Sequence, residues 1–492
     1  MDSNIAPIDA GAATDSAFPR TVAFDRRLII ITLIGAALFI WPLFAHGRAA
    51  NIQDSPSYYK AGQKAVGFVI DHVPGRSLVS PSTSAKGATA KKDDWTPQQT
   101  RGARSVAYSV LAYVLGAPHG QMWLLVVAQA IATGFACAVG LLLFDARIGT
   151  SVVKLAILAV ATPVAFAVCF LLPDIFAGLL IFLIALLATA YQRLSGGVRT
   201  VSVLIATAAI AFHSSHLPIG LGMTGAAGVG LLIAKRRGLS VPTAQWAWLV
   251  TPFLIGAAMT VAMNAVAFGG ASLTGKRWPL TLARSAAEGP AKWYLDQNCP
   301  HLKYAICEVY PHGVPGRVDD FLWGKNSISV RATPAQLDRI RAEESEVVLA
   351  ATRAYPFQEI GRVSYQTARQ IGHFEPYVGL NFRIVDGPDG APISVDAPFN
   401  RGWSNLVGWL SIASVLASLA LLIFRWRTLG IIRPMLYLVL LGVLLNAAVC
   451  VYFSGISARY GARVIWLIPL LALMALGTAG RRVGEGQAAS RG

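Results

Sequence analysis

The chain has 492 residues, of which 54% are hydrophobic and only 14% charged, and its mean hydropathy is +0.53. So apolar a composition excludes an ordinary soluble domain and leaves a polytopic membrane protein. Lys and Arg outnumber Asp and Glu by 42 to 25, a formal charge of +17; the excess sits mostly at the ends of apolar segments, which argues for membrane orientation and against nucleic-acid binding.

About 20 apolar residues cross a bilayer core. On that measure ten spans are expected after a cytoplasmic tail at 1–27: 28–45, 121–144, 152–172, 174–191, 200–213, 217–234, 246–268, 404–424, 431–453 and 464–480. With the N-terminus inside, the inside segments hold Arg20, Arg26 and Arg27, then Arg147, then Arg193 and Arg199, then Lys235, Arg236 and Arg237, then Arg425, Arg427 and Arg433, then Arg481 and Arg482. Every inside segment is basic, as the positive-inside rule requires. The expected setting is a bacterial inner (cytoplasmic) membrane, with both termini, including the tail at 481–492, in the cytoplasm. The basic flank and the HGRAA after the first apolar run also fit a cleavable signal, but a run containing Trp41 and Pro42 is long for one, and it is read as a retained span.

The transmembrane core at 28–268 includes an outer loop at 46–120. Its first part, NIQDSPSYYKAGQKA, places Asp54 beside Tyr58 and Tyr59 just after a span. Residues 77–100, rich in Ser, Thr, Lys, Pro and Ala, read as a mobile loop. In RSVAYSVLAYVLG at 104–116, Val106, Val110 and Tyr113 share a helical face, which predicts a short helix along the membrane interface.

The second hydrophilic segment, 269–403, is long enough for a small, mainly helical periplasmic domain inserted between spans seven and eight. Cys299 and Cys307 flank CPHLKYAIC, where an oxidising compartment permits a disulfide. A zinc site with His301 and His312 is the competing reading, weakened by the lack of a second Cys pair. Cys137, Cys169 and Cys450 lie in apolar spans and read as packing residues. Thr333, Pro334 and Gln336 form a helix start with a capping box, so a helix is expected to about Tyr355 and a second from Pro356 to Arg369. Residues 376–400, rich in Pro, Asp and Gly, look like an irregular return to the C-terminal helices at 404–480.

The chain has no GxxxxGK[ST] loop, GxSxG elbow or CxxC pair, so ATP-driven work is not expected. Four polar sets fall on one side of the predicted topology: Asp54; Asp174 in LLPDIFAG; His213 and His216 in FHSSHLP; and Arg459, Tyr460 and Arg463 in SARYGAR. Each has a plain structural explanation beside a chemical one. Asp174 could simply cap the following helix, and Asp54 could close a local turn with Pro56. The histidines could form interfacial hydrogen bonds or bind a divalent ion or phosphate. The arginines could snorkel, although arginine on the outer side opposes the usual bias and suits a phosphate grip.

In these motifs the chain resembles the GT-C superfamily of integral membrane glycosyltransferases, the group that includes protein O-mannosyltransferases and lipid A aminoarabinose transferases. The likeness rests on Asp54 after span one with Tyr58 and Tyr59 behind it, RSVAYSVLAYVLG before span two, Asp174 in LPDIFAG, and the RY of SARYGAR. It implies transfer of a sugar from a polyprenyl-phosphate donor to a lipid or glycan acceptor outside the cytoplasm. It further implies that Asp54 is the base towards the acceptor, Asp174 a second acidic site residue, and Arg459, with Tyr460 and Arg463, the clamp on the donor phosphate. Tyr58, Tyr59, His213 and His216 would contact substrate. A divalent metal is used by some members and not by others, so the cofactor stays open.

The chain departs from the family in having a single acidic residue, Asp54, at the motif after span one (NIQDSPSYY) instead of an Asp-Glu pair, and in carrying its outer domain between spans seven and eight instead of at the C-terminus. Two other functions remain as alternatives. A transporter or flippase of lipid-linked glycans predicts charged residues in mid-span, and a noncatalytic scaffold predicts that Asp54 and Asp174 tolerate Ala.

Overall fold

Within hydrocarbon a backbone can satisfy its N–H and C=O groups only inside its own segment, so the long apolar runs of this chain become helices. A computed structural model describes residues 21–47, 54–71, 104–116, 122–376, 382–386, 392–396 and 401–477. The expected mobile loop at 77–100, the tail at 481–492 and most of the tail at 1–27 lie outside the described residues.

The first apolar run forms α1 (Arg26–Phe39) and α2 (Trp41–His46), and the following hydrophilic stretch contributes α3 (Ser55–Asp71) and α4 (Val106–Gly116), the second at the expected place. Then come α5 (Trp123–Leu142), α6 (Ile148–Ala161), α7 (Val164–Cys169), α8 (Ile175–Thr189), α9 (Gly196–Phe212), α10 (His216–Arg236) and α11 (Thr243–Phe268). The third apolar run is one segment in the sequence but two helices in the fold. Pro163 has no N–H and disfavours helical geometry at Thr162, which is extended, so the chain breaks there.

The 269–403 stretch holds α12 (Leu280–Glu288), α13 (Pro290–Asn298), α14 (Ala305–Val309), α15 (Val318–Leu322), α16 (Ile328–Arg331), α17 (Pro334–Ala354) and α18 (Pro356–Ile371). Leu282, Leu295, Phe321, Leu337 and Val347 are among the residues of a hydrophobic cluster of its own, apart from the main one in the apolar bundle. Thr333 caps α17 with Gln336 in a reciprocal capping box, as its sequence predicts. Cys299 and Cys307 are joined in a disulfide, which removes them from any zinc set. Within the return expected to be irregular at 376–400, two described stretches are strands. Phe382–Asp386 (β1) and Pro392–Asp396 (β2) pair antiparallel, with Phe382 opposite Asp396 and Asp386 opposite Pro392.

The chain ends in α19 (Arg401–Phe424), α20 (Ile432–Phe453), α21 (Ala458–Ile465) and α22 (Leu467–Leu476). Among the described residues seven helical stretches are long and apolar enough to cross a membrane, taking α1 with α2 and α21 with α22 as continuous, while α6, α8 and α9 are shorter. The protein is therefore a mainly helical, polytopic membrane protein.

At its centre lies α8, buried from Ile175 to Ala188. A helix apolar on every side is one surrounded by protein, and α5, α9, α10, α20 and α21 pack around it. Glycines permit the closest approaches. A Cβ on Gly178 of α8 would stand 2.6 Å from the carbonyl oxygen of Arg463 and 2.9 Å from the Trp466 ring. On α11, a Cβ at Gly256 would stand 2.8 Å from Ile210 and 2.9 Å from the Thr207 carbonyl oxygen of α9, whereas Gly225 on α10 has open space. Gly256→Val is therefore expected to cost about 1–3 kcal/mol through overpacking, read as a lower melting temperature in detergent, while Gly225→Ala leaves it unchanged or higher. Equal melting temperatures for the two variants would contradict the α9–α11 packing.

Candidate functional site

Asp174 occupies the first position before α8, yet its backbone is already helical and its side chain makes no capping hydrogen bond. The capping explanation therefore fails, because a stronger partner has taken the carboxylate. Arg463 Nη1 donates to Asp174 Oδ1 at 2.9 Å. Arg463 lies one helical turn after Arg459 on α21, so both guanidinium groups leave the same face.

Two buried charges are tolerable only when the rest of their hydrogen-bonding capacity is met. Arg463 meets it with Nε donating to Asn446 Oδ1 at 2.9 Å, and with Nη2 close to Cys450 Sγ at 2.9 Å and to Ser215 Oγ at 3.3 Å. Asn446 in turn donates from Nδ2 to the Tyr460 carbonyl at 2.7 Å, fixing the first turn of α21. Asp174 Oδ2 is buried without a hydrogen bond among the described residues, with Arg459 Nε 3.9 Å away.

Asp54 joins the same cluster. Its carbonyl accepts from the N–H groups of Ser57 and Tyr58, so the local turn is made by the backbone. Its carboxylate is left for long-range partners: Arg104 at one oxygen, and Arg459 Nη1 at 3.5 Å on the other. Charges thus alternate along Arg104, Asp54, Arg459, Asp174 and Arg463, three cations against two anions. The chain of charges also grades in depth. The side chains of Arg463 and Asp174 are 0% and 4% exposed, against 17%, 25% and 34% for Arg459, Asp54 and Arg104. Among the described residues, the Asp54–Arg459 end of the cluster is the more accessible one.

Aromatic rings bracket the cluster. The Tyr460 ring lies 5.1 Å from the Arg459 guanidinium and 5.2 Å from that of Arg463, and its hydroxyl is 3.1 Å from Ser454 Oγ. Tyr58 is buried, edge-on to Tyr108 at 5.1 Å, with the Arg104 guanidinium 5.7 Å from its ring. Burial raises the Tyr58 phenol above its ordinary pKa, so it stays protonated and can donate. Tyr108 donates to Gln129, which reaches the carbonyls of Val168 and Phe170, and so links α4, α5 and the end of α7. Tyr59 lies apart, packed on Tyr113 at 5.3 Å.

The two histidines divide. His213 Nδ1 is 2.8 Å from Ser215 Oγ, and so touches the Arg463 network, while His216 Nδ1 is 2.7 Å from the Ala209 carbonyl, to which it donates. Among the described residues no three His, Cys, Asp or Glu side chains are grouped to hold a metal ion.

Arg104 and Asn446 carry parts of this site that sequence reading did not assign. Arg104 shows the signal that singled out Arg459, an arginine in a segment predicted from the sequence to lie outside, and Asn446 is a polar residue within an apolar helix. Separate from the cluster, an apolar groove of about 550 Å³ runs between α19, α20 and α22, with Ile412, Leu416, Leu440 and Leu444 on its walls. Ile465 of α21 lines it from the side opposite to Arg463. No protein-family model, curated protein or solved structure matches the chain.

The depth gradient has a direct consequence for stability. Arg463→Met strands the buried Asp174 carboxylate and is expected to cost about 3–5 kcal/mol. Arg459→Met should cost far less, because Asp54 keeps Arg104 and Asp174 keeps Arg463. Thermal unfolding of the detergent-solubilised variants measures both, and an equal loss from the two would contradict the assignment of a structural and an open end.

Proposed function

We propose that the chain is a membrane glycosyltransferase of the GT-C type, which moves a sugar from a polyprenyl-phosphate donor to a lipid or glycan acceptor at the periplasmic face of a bacterial inner membrane. In this reading the three short apolar helices complete ten spans, both termini are cytoplasmic, and 269–403 is a periplasmic domain. The observation that carries it is the meeting of Asp54, Asp174 and Arg459, from three distant stretches of sequence, in one ion-paired cluster.

The chemistry follows from the charges. A donor phosphate arriving at Arg459 replaces Asp54 as its anion and finds the surplus positive charge of the cluster ready. Asp54 is left with Arg104 alone, and its freed oxygen takes the proton of the acceptor hydroxyl. The acceptor oxygen bonds to the anomeric carbon as the bond from that carbon to the phosphate oxygen breaks. The electron pair leaves with polyprenyl phosphate, whose charge Arg459 stabilises, and the single displacement inverts the anomeric centre. Asp174 and Arg463 act as positioning residues by holding α21 against α8. The surrounding bilayer takes the polyprenyl chain, and the donor is activated beforehand, so no nucleotide is needed at this site.

Release of polyprenyl phosphate from polyprenyl-phosphate sugars in nanodiscs tests the reading. Asp54→Asn is expected to lower it at least 100-fold, within the usual range for loss of a general base, with an unchanged melting temperature. Full turnover by this variant would overturn the proposal.

A further inference from the structure

Helix α18 is turned the wrong way for a helix on a water-exposed domain. Its inner side is polar: Glu359, Thr367 and Gln370 are buried. Its outer side carries an apolar stripe, with Phe357, Ile360 and Ile371 exposed by 86%, 62% and 39%. Together with Ser364 and Ala368 these positions recur at three- and four-residue spacing or its multiples, so they share one face.

The inner side is polar because its partners are. Glu359 accepts from Arg284 and from Ser285 Oγ at 3.2 Å, and the buried Arg284 also holds Glu288 and the Tyr452 carbonyl at the end of α20. Gln370 is fully buried and accepts from the Ser457 N–H at 2.8 Å, while its Nε2 donates to the Ser457 carbonyl at 3.0 Å and to that of His373 at 3.1 Å. These bonds fix the rotation of α18, so the stripe cannot roll inwards.

What covers the stripe is indicated by where it leads. Ile371, at its end, is a wall of the groove between α19 and α20, shared with Ile412, Leu416, Leu440 and Leu444, all exposed apolar residues of membrane-crossing helices. Higher on α18, Ile360 and Val363 border a cleft with Tyr452 and Phe453, at the end of α20. The stripe therefore continues the lipid-facing surface of the bundle. Exposed Arg362, Tyr365 and Arg369 run beside it, with the Arg369 guanidinium 5.7 Å from the Tyr365 ring. An apolar face bordered by arginine and tyrosine is the pattern of a helix lying in the plane of a membrane interface.

We propose that α18 lies in the membrane–water interface, its Phe357–Ile360–Ile371 face in the acyl boundary and Arg362 and Arg369 at the lipid phosphates. The 269–376 stretch is then held down on the bilayer. Because Gln370 grips Ser457, the residue before α21, this lipid contact also sets the position of the helix that carries Arg459 and Arg463.

Site-specific quenching tests the proposal on the full chain in phosphatidylcholine–phosphatidylglycerol nanodiscs. Cys137, Cys169 and Cys450 are buried and Cys299 and Cys307 are bonded, so a bimane label goes to an introduced cysteine. At Phe357→Cys and Ile360→Cys, a shallow doxyl lipid is expected to lower fluorescence at least twofold and aqueous iodide to have little effect. At the exposed Arg317→Cys, iodide should quench and the doxyl lipid should not. If positions 357 and 360 respond like 317, the stripe faces water and the proposal fails. If they are shielded from both quenchers, another protein or a second copy covers the face, and the proposal fails equally. None of these outcomes depends on the enzymatic reading.

Discussion

The arrangement depends on one buried ion pair, Asp174 with Arg463. Both side chains sit deep in an apolar bundle, where unpaired charges would be driven out, and each is held by the other and by the neighbours of Arg463. The pair fastens the start of the central helix α8 to α21, and Gly178 lets the two backbones approach closely enough for it to form. Asn446 and Ser215 extend the same fastening to α20 and to the turn before α10.

From that fixed point the rest of the cluster follows. Arg459 is one turn earlier on α21, so fixing Arg463 aims Arg459 at the place where Asp54 enters from the start of α3 and Arg104 from the start of α4. One short helix therefore serves two ends, one charge locked for structure and one charge at an accessible edge. The 269–376 stretch is tied to the same region twice, by Arg284 at the Tyr452 carbonyl and by Gln370 at Ser457. A movement in that stretch reaches the cluster through the α20–α21 connection.

What was legible in the sequence was local. The capping box at Thr333, the disulfide and the short helix at 104–116 depend on neighbours a few residues away, and each formed. Asp174 was ambiguous for the same reason. Its local setting reads as a helix cap, and only a partner 289 residues away decides against that. The roles of Arg104 and Asn446 are not legible because they arise from contacts across the fold, and the break at Pro163 and the pairing of Phe382–Asp386 with Pro392–Asp396 are hidden by strongly apolar or proline-rich composition. The facing of α18 could not be read either. Periodicity reveals that a stripe exists, and only the buried partners of Glu359 and Gln370 show which side it faces.

The central claim is that Asp54 and Arg459 form the receiving end of a single site for a lipid-linked phosphate. The most direct measurement is an experimental structure of the protein in nanodiscs with polyprenyl phosphate. The phosphate is expected within charge-assisted hydrogen-bond distance of Arg459, about 2.7–2.9 Å, with Asp54 turned away from Arg459. A phosphate bound elsewhere, with the Asp54–Arg459 pair intact, would contradict the account.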